Sequence, residues 1–171
     1  MSILANKDTH VVIQGGVAGQ NAARRMAEFC YLNKKSLYVD AFVYPPDAGK
    51  TNEIPYGSGL ITIPVYKTVA EATKNHPQIN TSLVYIGADR ASAGGMEALN
   101  DPKIKVVSMI TEGVPEKDAK LLGAHARKLG KVFNGPSSIG IISSGSCRLG
   151  VIGGAYDNLV SCKLYREGSF G

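Results

Sequence analysis

The chain has no tryptophan, only three cysteines and 7% aromatic residues in a length of 171. Cys30, Cys147 and Cys162 form neither a CxxC pair nor a metal-ligand spacing, so reduced thiols in a cytoplasmic setting are expected rather than a disulfide-stapled or zinc-built fold. Long apolar runs are missing too. Nothing approaches the length of a bilayer-spanning helix, and the opening Met1 to Asp8 carries polar and charged residues where a secretory signal has an apolar core. No membrane association is expected. The charge of +5 comes from scattered lysines and arginines, among them Lys34, Lys35, Lys67, Lys103, Lys105, Arg127, Lys128 and Lys131, with no dense basic tract interleaved with aromatics. That pattern argues against a nucleic-acid partner and fits a small anionic ligand. His10, His76 and His125 have no neighbour at ligand spacing and read as structural or exposed, so no metal site and no histidine nucleophile is expected.

What the chain does have is apolar residues at 44% and 20 glycines, the composition of one soluble domain with many tight turns. Short apolar runs alternate with helical patterns. Thr9 to Gln14 reads as a strand that ends at Gly15-Gly16, and Gln20 to Leu32 carries Ala22, Ala23, Met26, Ala27, Phe29 and Cys30 at helical spacing. Leu37 to Val43 is a second strand. Tyr44 to Gly59, rich in proline and glycine, reads as a loop, and Ile61 to Tyr66 as a strand that Pro64 places at an edge or strand end. Thr68 with Glu71 forms a capping box for a short helix. Ser82 to Ile86 is a strand leading into a small-residue helix that runs to about Asn100. Lys105 to Ile110 is the next strand, with Pro115 opening a helix from Glu116 to Leu129, and Lys131 to Phe133 resumes the sheet. Strands alternating with helices predict an α/β fold: a Rossmann-like, doubly wound, mainly parallel sheet with helices on both faces.

In such sheets ligands lie beyond the carboxyl ends of the strands. Four loops leave those ends, Gly15 to Gln20, Tyr44 to Lys50, Ile86 to Ser92 and Ile110 to Pro115, and they should converge on one crevice. The first follows a strand and opens a helix, so its free amides suit a phosphate. It lacks the GxGxxG of a dinucleotide fingerprint, and Asp40 lies mid-strand rather than at the second strand's tip. A bare structural turn is nearly as good a reading. Lys50 follows a stiff Pro45-Pro46 approach and can meet a phosphate as a point charge, or be one more solvated lysine. Tyr85, Ile86, Gly87, Ala88 and Arg90 offer apolar walls and a cation suited to adenine and phosphate, while Arg90 alone can equally pair on the surface. Glu112 after Ile110 and Thr111 can accept from a ligand or cap the next helix.

The densest glycine pattern lies near the end. Gly135, Gly140, Gly145 and Gly150 fall five apart, and Gly153-Gly154 follows. This fits neither a helix nor a long strand, and predicts short buried strands with tight turns and close backbone approach to a ligand. Cys147 and Ser138 sit in this tract without a base beside them, so both read as buried or incidental rather than nucleophilic.

Taken together, Met1-Ser-Ile-Leu4, Thr9 to Gly15, Lys50, Ile110-Thr-Glu-Gly-Val-Pro115 and Gly135-Pro136 with Gly140 resemble, in order and spacing, the coenzyme A-binding domain of the NDP-forming acyl-CoA synthetase superfamily, in its succinyl-CoA synthetase α-subunit-like branch. The likeness covers essentially the whole chain. Phe42-Val-Tyr-Pro45, Ile63-Pro-Val-Tyr66, Gly150 to Gly154 with Asp157-Asn158, and Cys162 to Ser169 are more similar to the ATP-citrate lyase and citryl-CoA synthetase members. Ser137-Ser138-Ile139 stands where succinyl-CoA synthetases have Asn-Cys-Pro, which favours the citrate branch.

The resemblance implies coenzyme A held by Gly16, Val17, Ala18, Gly19, Gln20, Lys50 and Ile110 to Glu112, with Tyr85 to Arg90 around the adenine. It also implies that Ser137, Ser138, Ile139, Gly153 and Gly154 lie near the acyl substrate, citrate. Residues 1–145 would be the CoA-binding domain and 146–171 an extension toward a ligase domain that carries the family's phosphorylated histidine and is not in this chain. ATP and Mg would be bound elsewhere, by a β-type ATP-grasp subunit or region, in a hetero-oligomer. No residue here inherits a catalytic role. The alternatives are a succinyl-CoA or citryl-CoA synthetase fragment, a non-catalytic NAD-sensing Rossmann domain, and a scaffold whose site is vestigial.

Overall fold

The computed structural model describes residues 4–168, so Met1, Ser2, Ile3 and Ser169 of the motifs above lie outside the described residues. In chain order the elements are β1 (Val11–Gln14), α1 (Val17–Leu32), β2 (Val39–Val43), β3 (Thr51–Tyr56), β4 (Gly59–Tyr66), α2 (Val69–Asn75), β5 (Thr81–Val84), α3 (Ala88–Asn100), β6 (Val106–Met109), α4 (Glu116–Lys128), β7 (Val132–Asn134), β8 (Ile141–Ser143), β9 (Cys147–Leu149) and α5 (Tyr156–Ser161). A single 3-10 turn, Pro45–Asp47, follows β2.

Seven strands form one sheet in the order β3-β4-β2-β1-β5-β6-β7, and all neighbours except β3 and β4 are parallel. This is the expected α/β, Rossmann-like, doubly wound arrangement. Strands β1, β5 and β6 are buried along their whole length, which is why they read as continuous apolar runs rather than alternating ones. Alternate side chains feed two cores. Val11, Ile13, Phe42 and Leu83 pack with Met26 and Ala27 of α1 and with Cys147 and Leu149 of β9. On the other face, Val12, Val43, Val84 and Val107 pack with Val69 of α2, Ala98 and Leu99 of α3, and Leu122 of α4. The antiparallel hairpin β8–β9 therefore shares with α1 the work of covering one face of the sheet.

Three local readings change. The stretch Tyr44 to Gly59, expected to be a loop, contains β3, which pairs with β4 through a tight turn at Gly57 and Ser58. Pro55 hid this strand, and it is tolerated because β3 is the sheet's edge and needs no second partner. Conversely, β4 lies inside the sheet. Pro64 precedes the short stretch, Val65 and Tyr66, that pairs with β2, so no bond to β2 calls on its missing N–H. Helix α1 begins at Val17, so residues 17–20 are its first turn and not a loop. Gly19 is buried there and serves packing: a Cβ would come within 2.8 Å of the Ile13 side chain, so glycine lets the helix settle onto β1.

The remaining boundaries follow their signals. Thr68 Oγ1 accepts from the Glu71 amide at 3.1 Å, and the Glu71 carboxylate accepts from the Lys67 amide at 3.0 Å. Pro115 caps α4, and Gly130 follows it with φ of 66°. None of the described helices is long and apolar enough to cross a membrane.

Candidate functional site

The chain leaves β1 toward β2 and β4 on one side, then returns through α2 to β5 on the other side of β1. This reversal opens a crevice beyond the carboxyl ends of β1 and β5, where such sheets take ligands. The four expected loops meet around it. Gly15 donates its amide to the Val43 carbonyl at 3.0 Å, and Tyr85 donates to the Gln14 carbonyl at 2.8 Å, so the first loop touches the second and third. Thr111 Oγ1 donates to the Ile86 carbonyl at 2.7 Å, tying the fourth loop to the third. Its hydroxyl is thereby committed to the scaffold.

The amide-rich end of α1 is open. Gly16 caps it without a side chain, no acidic residue stands in its first turn, and Val17 is 73% exposed. The helical ladder begins with the Gln20 amide on the Gly16 carbonyl, so the amides of Val17, Ala18 and Gly19 have no intrahelical acceptor. This is the geometry of an anion seat. Gln20 turns its side chain sideways, Nε2 donating to Asn52 Oδ1 at 3.0 Å, which fixes the start of β3 beside this turn.

Lys50 lies two residues earlier on the same rim. Its side chain is 70% exposed and its ammonium is 2.7 Å from Asp47. The hydrogen bond to Asp47, reinforced by that carboxylate's charge, moves the lysine above its ordinary value, so it is a permanent cation.

The segment Tyr85 to Arg90 divides between the two faces. Ile86 and Arg90 line a cleft of about 240 Å³ with Gln14, Tyr44, Lys67 and Glu97. Arg90 lies in the first turn of α3, its side chain 67% exposed and 3.6 Å from Asp89. Tyr85 points the other way, into the α1 face. Its hydroxyl is buried without a hydrogen-bond partner among the described residues, and burial pushes it up to about 12. Gly87 and Ala88 form the exposed and half-buried entry to α3, and Glu112 is exposed at the tip of the fourth loop.

The glycine tract docks on this loop. Ser137 donates its amide to the Thr111 carbonyl at 3.0 Å and Ser138 to the Met109 carbonyl at 3.1 Å. The Ser138 hydroxyl accepts from Asn134 Nδ2 at 2.8 Å and from the Gly140 amide at 3.2 Å, a structural use. Ile139 is 69% exposed. Gly153 and Gly154 lie farther along, in the turn before α5. The Cys147 thiol is fully buried and pushed up to about 11 by that burial, which leaves it protonated and unreactive.

The histidines stand elsewhere. His10 Nδ1 is 2.9 Å from Asp40 at the opposite end of the sheet, His76 pairs with Tyr66 and His125 with Asn100. Sequence reasoning missed two residues. Gln14, buried at the switch point, donates through Nε2 to Ser82 Oγ and to the Gly94 carbonyl, both at 3.0 Å. A polar residue closing an apolar strand was its signal. Arg148 is fully buried behind the tract and had no local signal.

Comparison with known proteins gives a consistent picture. The chain is 36% identical over 148 residues to ATP-citrate synthase beta chain protein 1 of Oryza sativa subsp. japonica, a match that covers 86% of this chain and 24% of the rice protein. Its fold superposes with a TM-score of 0.92 and 32% identity on ATP citrate lyase from Methanothrix soehngenii in complex with citrate and coenzyme A, covering 97% of this chain and 27% of that one. Methanosaeta concilii ATP citrate lyase in complex with (3S)-citryl-CoA gives 0.91 and 33%, with the same coverage. The chain thus spans about a quarter of the length of these relatives. The model of the CoA binding domain matches residues 6–113, more than half of the 171, and the chain belongs to that family.

Proposed function

We propose that this chain is the coenzyme A platform of an ATP-citrate lyase. The observation that carries the reading is the open amide end of α1, with Lys50 on the same rim, at the switch point of a sheet superposable on lyases solved with coenzyme A. The amides of residues 17–19 receive the diphosphate, and Lys50 meets a phosphate as a point charge. Ile86 to Arg90 flank the adenine, Ile110 to Glu112 line the pantetheine path, and the glycine tract borders the acyl substrate.

In the whole enzyme, citrate is activated by phosphate from ATP, captured as citryl-CoA and split to acetyl-CoA and oxaloacetate, with ADP and phosphate released. ATP and Mg belong to a β-type ATP-grasp subunit or region and the phosphohistidine to a ligase domain, in a hetero-oligomer acting in the cytoplasm. The described residues supply binding and positioning.

Thermal shift tests the reading. Coenzyme A at about 100 times its dissociation constant adds about 2.7 kcal/mol, a rise of roughly 5–11 °C for a domain of this size. Dephospho-CoA should shift less, and Lys50→Ala should reduce the rise while Lys128→Ala, on exposed α4 surface, leaves it. A rise with NAD and none with coenzyme A overturns the proposal.

A further inference from the structure

Arg148 is completely buried, yet among the described residues its guanidinium hydrogen-bonds only backbone carbonyls, while the Glu28 carboxylate acts on it through charge alone. Nη1 donates to the Arg25 carbonyl at 3.0 Å, and Nη2 donates to the carbonyls of Val151 at 2.9 Å and Gly154 at 2.7 Å. Nε has no partner among the described residues. The main chain is held as firmly: the Arg148 amide donates to the Tyr38 hydroxyl, which donates in turn to the Arg148 carbonyl, each at 2.7 Å.

A buried guanidinium is costly, and a leucine would fill this space against α1 without that cost. What an apolar side chain lacks is the grip. The Gly154 amide donates to the Val151 carbonyl at 3.1 Å, closing a turn, and the guanidinium fastens both of those carbonyls to the main chain of α1. The turn continues directly from Gly150, whose φ is 82°. A Cβ at Gly150 would stand 2.9 Å from Tyr85 Oη and 3.7 Å from Ile110 Cδ1, so the gripped backbone closes on the ends of β5 and β6. It lies on the α1 face, opposite the cleft of Ile86 and Arg90.

We infer that Arg148 is a positioning residue: it anchors the Gly150–Gly154 backbone to α1 as the wall of the crevice at the pantetheine end of coenzyme A. The inference rests on the coenzyme A reading above. Since every paired donor of the guanidinium is turned to a carbonyl, Arg148 acts through the wall and not by touching the ligand's phosphates. Its loss removes one hydrogen bond from each of three carbonyls and loosens the turn, leaving the nucleotide seat at the first turn of α1 and in the cleft of Ile86 and Arg90 intact.

The test compares two ligands by titration calorimetry on the 171-residue chain: coenzyme A, which reaches the wall, and adenosine 3′,5′-bisphosphate, which does not. Arg148→Met should weaken coenzyme A about tenfold, equivalent to about 1.4 kcal/mol, while the bisphosphate changes by less than about twofold. Arg148→Lys, which keeps a cation with fewer and shorter-reaching donors, should recover part of the difference. Leu122→Ala, which opens a cavity in the core of the other face, should lower stability without moving the ratio. An unchanged ratio in both Arg148 variants, or an equal shift in Leu122→Ala, overturns the inference. If Arg148→Met does not fold, the ratio in Arg148→Lys decides alone. Wild-type chain that binds neither ligand defeats the coenzyme A reading itself, and the inference with it.

Discussion

Tyr85 shows how one side chain divides a loop between two environments. Period-two alternation along β5 sends Leu83 and Tyr85 to the α1 face and Val84 and Ile86 to the other. The Tyr85 hydroxyl ends up buried, unpaired and pushed to about 12 by desolvation. An unsatisfied buried hydroxyl costs about 1–3 kcal/mol, so Tyr85→Phe should raise stability by about 1 kcal/mol in urea denaturation. A loss of similar size would show that the hydroxyl has a partner in solution. Although the resemblance groups Tyr85 with Ile86 to Arg90 around the adenine, its turn to the other face was legible in advance, since alternation alone fixes it once the strand is recognised. Arg148 was not. Arginine is rarely found fully buried, and Ser146-Cys-Arg-Leu-Gly150 contains nothing to suggest that three carbonyls from two segments converge on it.

Among the elements, α2 states its own beginning. Thr68 accepts from the Glu71 amide, and Glu71 reaches back to the Lys67 amide rather than to that of the cap residue. Thr68→Ala should lower the unfolding free energy by about 1 kcal/mol, and Thr68→Ser should leave most of it, as read from denaturation midpoints. No difference between alanine and serine would mean that the cap contributes nothing. Caps and apolar runs made α2, α4, β1, β5 and β6 readable, because their signals are local. Strand β3 escaped because its pairing partner, not its composition, defines it: Pro55 is acceptable only on an edge that no local window reveals. The start of α1 was misplaced for a related reason. Gly19 looked like a turn residue and is a packing residue.

At the scale of the whole molecule, three buried acids set an alkaline limit on stability. Burial raises Cys30 from 9.0 to about 12, Cys147 from 9.0 to about 11 and Tyr85 from 10.0 to about 12. Below pH 9.0 all three are neutral in both folded and unfolded chains, so their contribution is complete. Above it the unfolded chain sheds its protons first, and stability falls as pH climbs toward about 12. The midpoint of thermal unfolding should therefore drop steadily between about pH 9 and pH 11. A flat midpoint over that span would mean that these groups reach solvent in the folded state.

The hairpin β8–β9 bears on how such a protein can be cut. Seven strands and their crossover helices end with β7 at Asn134, and a boundary drawn from strand–helix alternation would stop there or at the turn after Ser143. Trimming at either point would strip Cys147, Arg148 and Leu149 from the core they share with α1 and the sheet. A soluble excised piece has to carry the chain through Gly154, past the last turn that Arg148 holds.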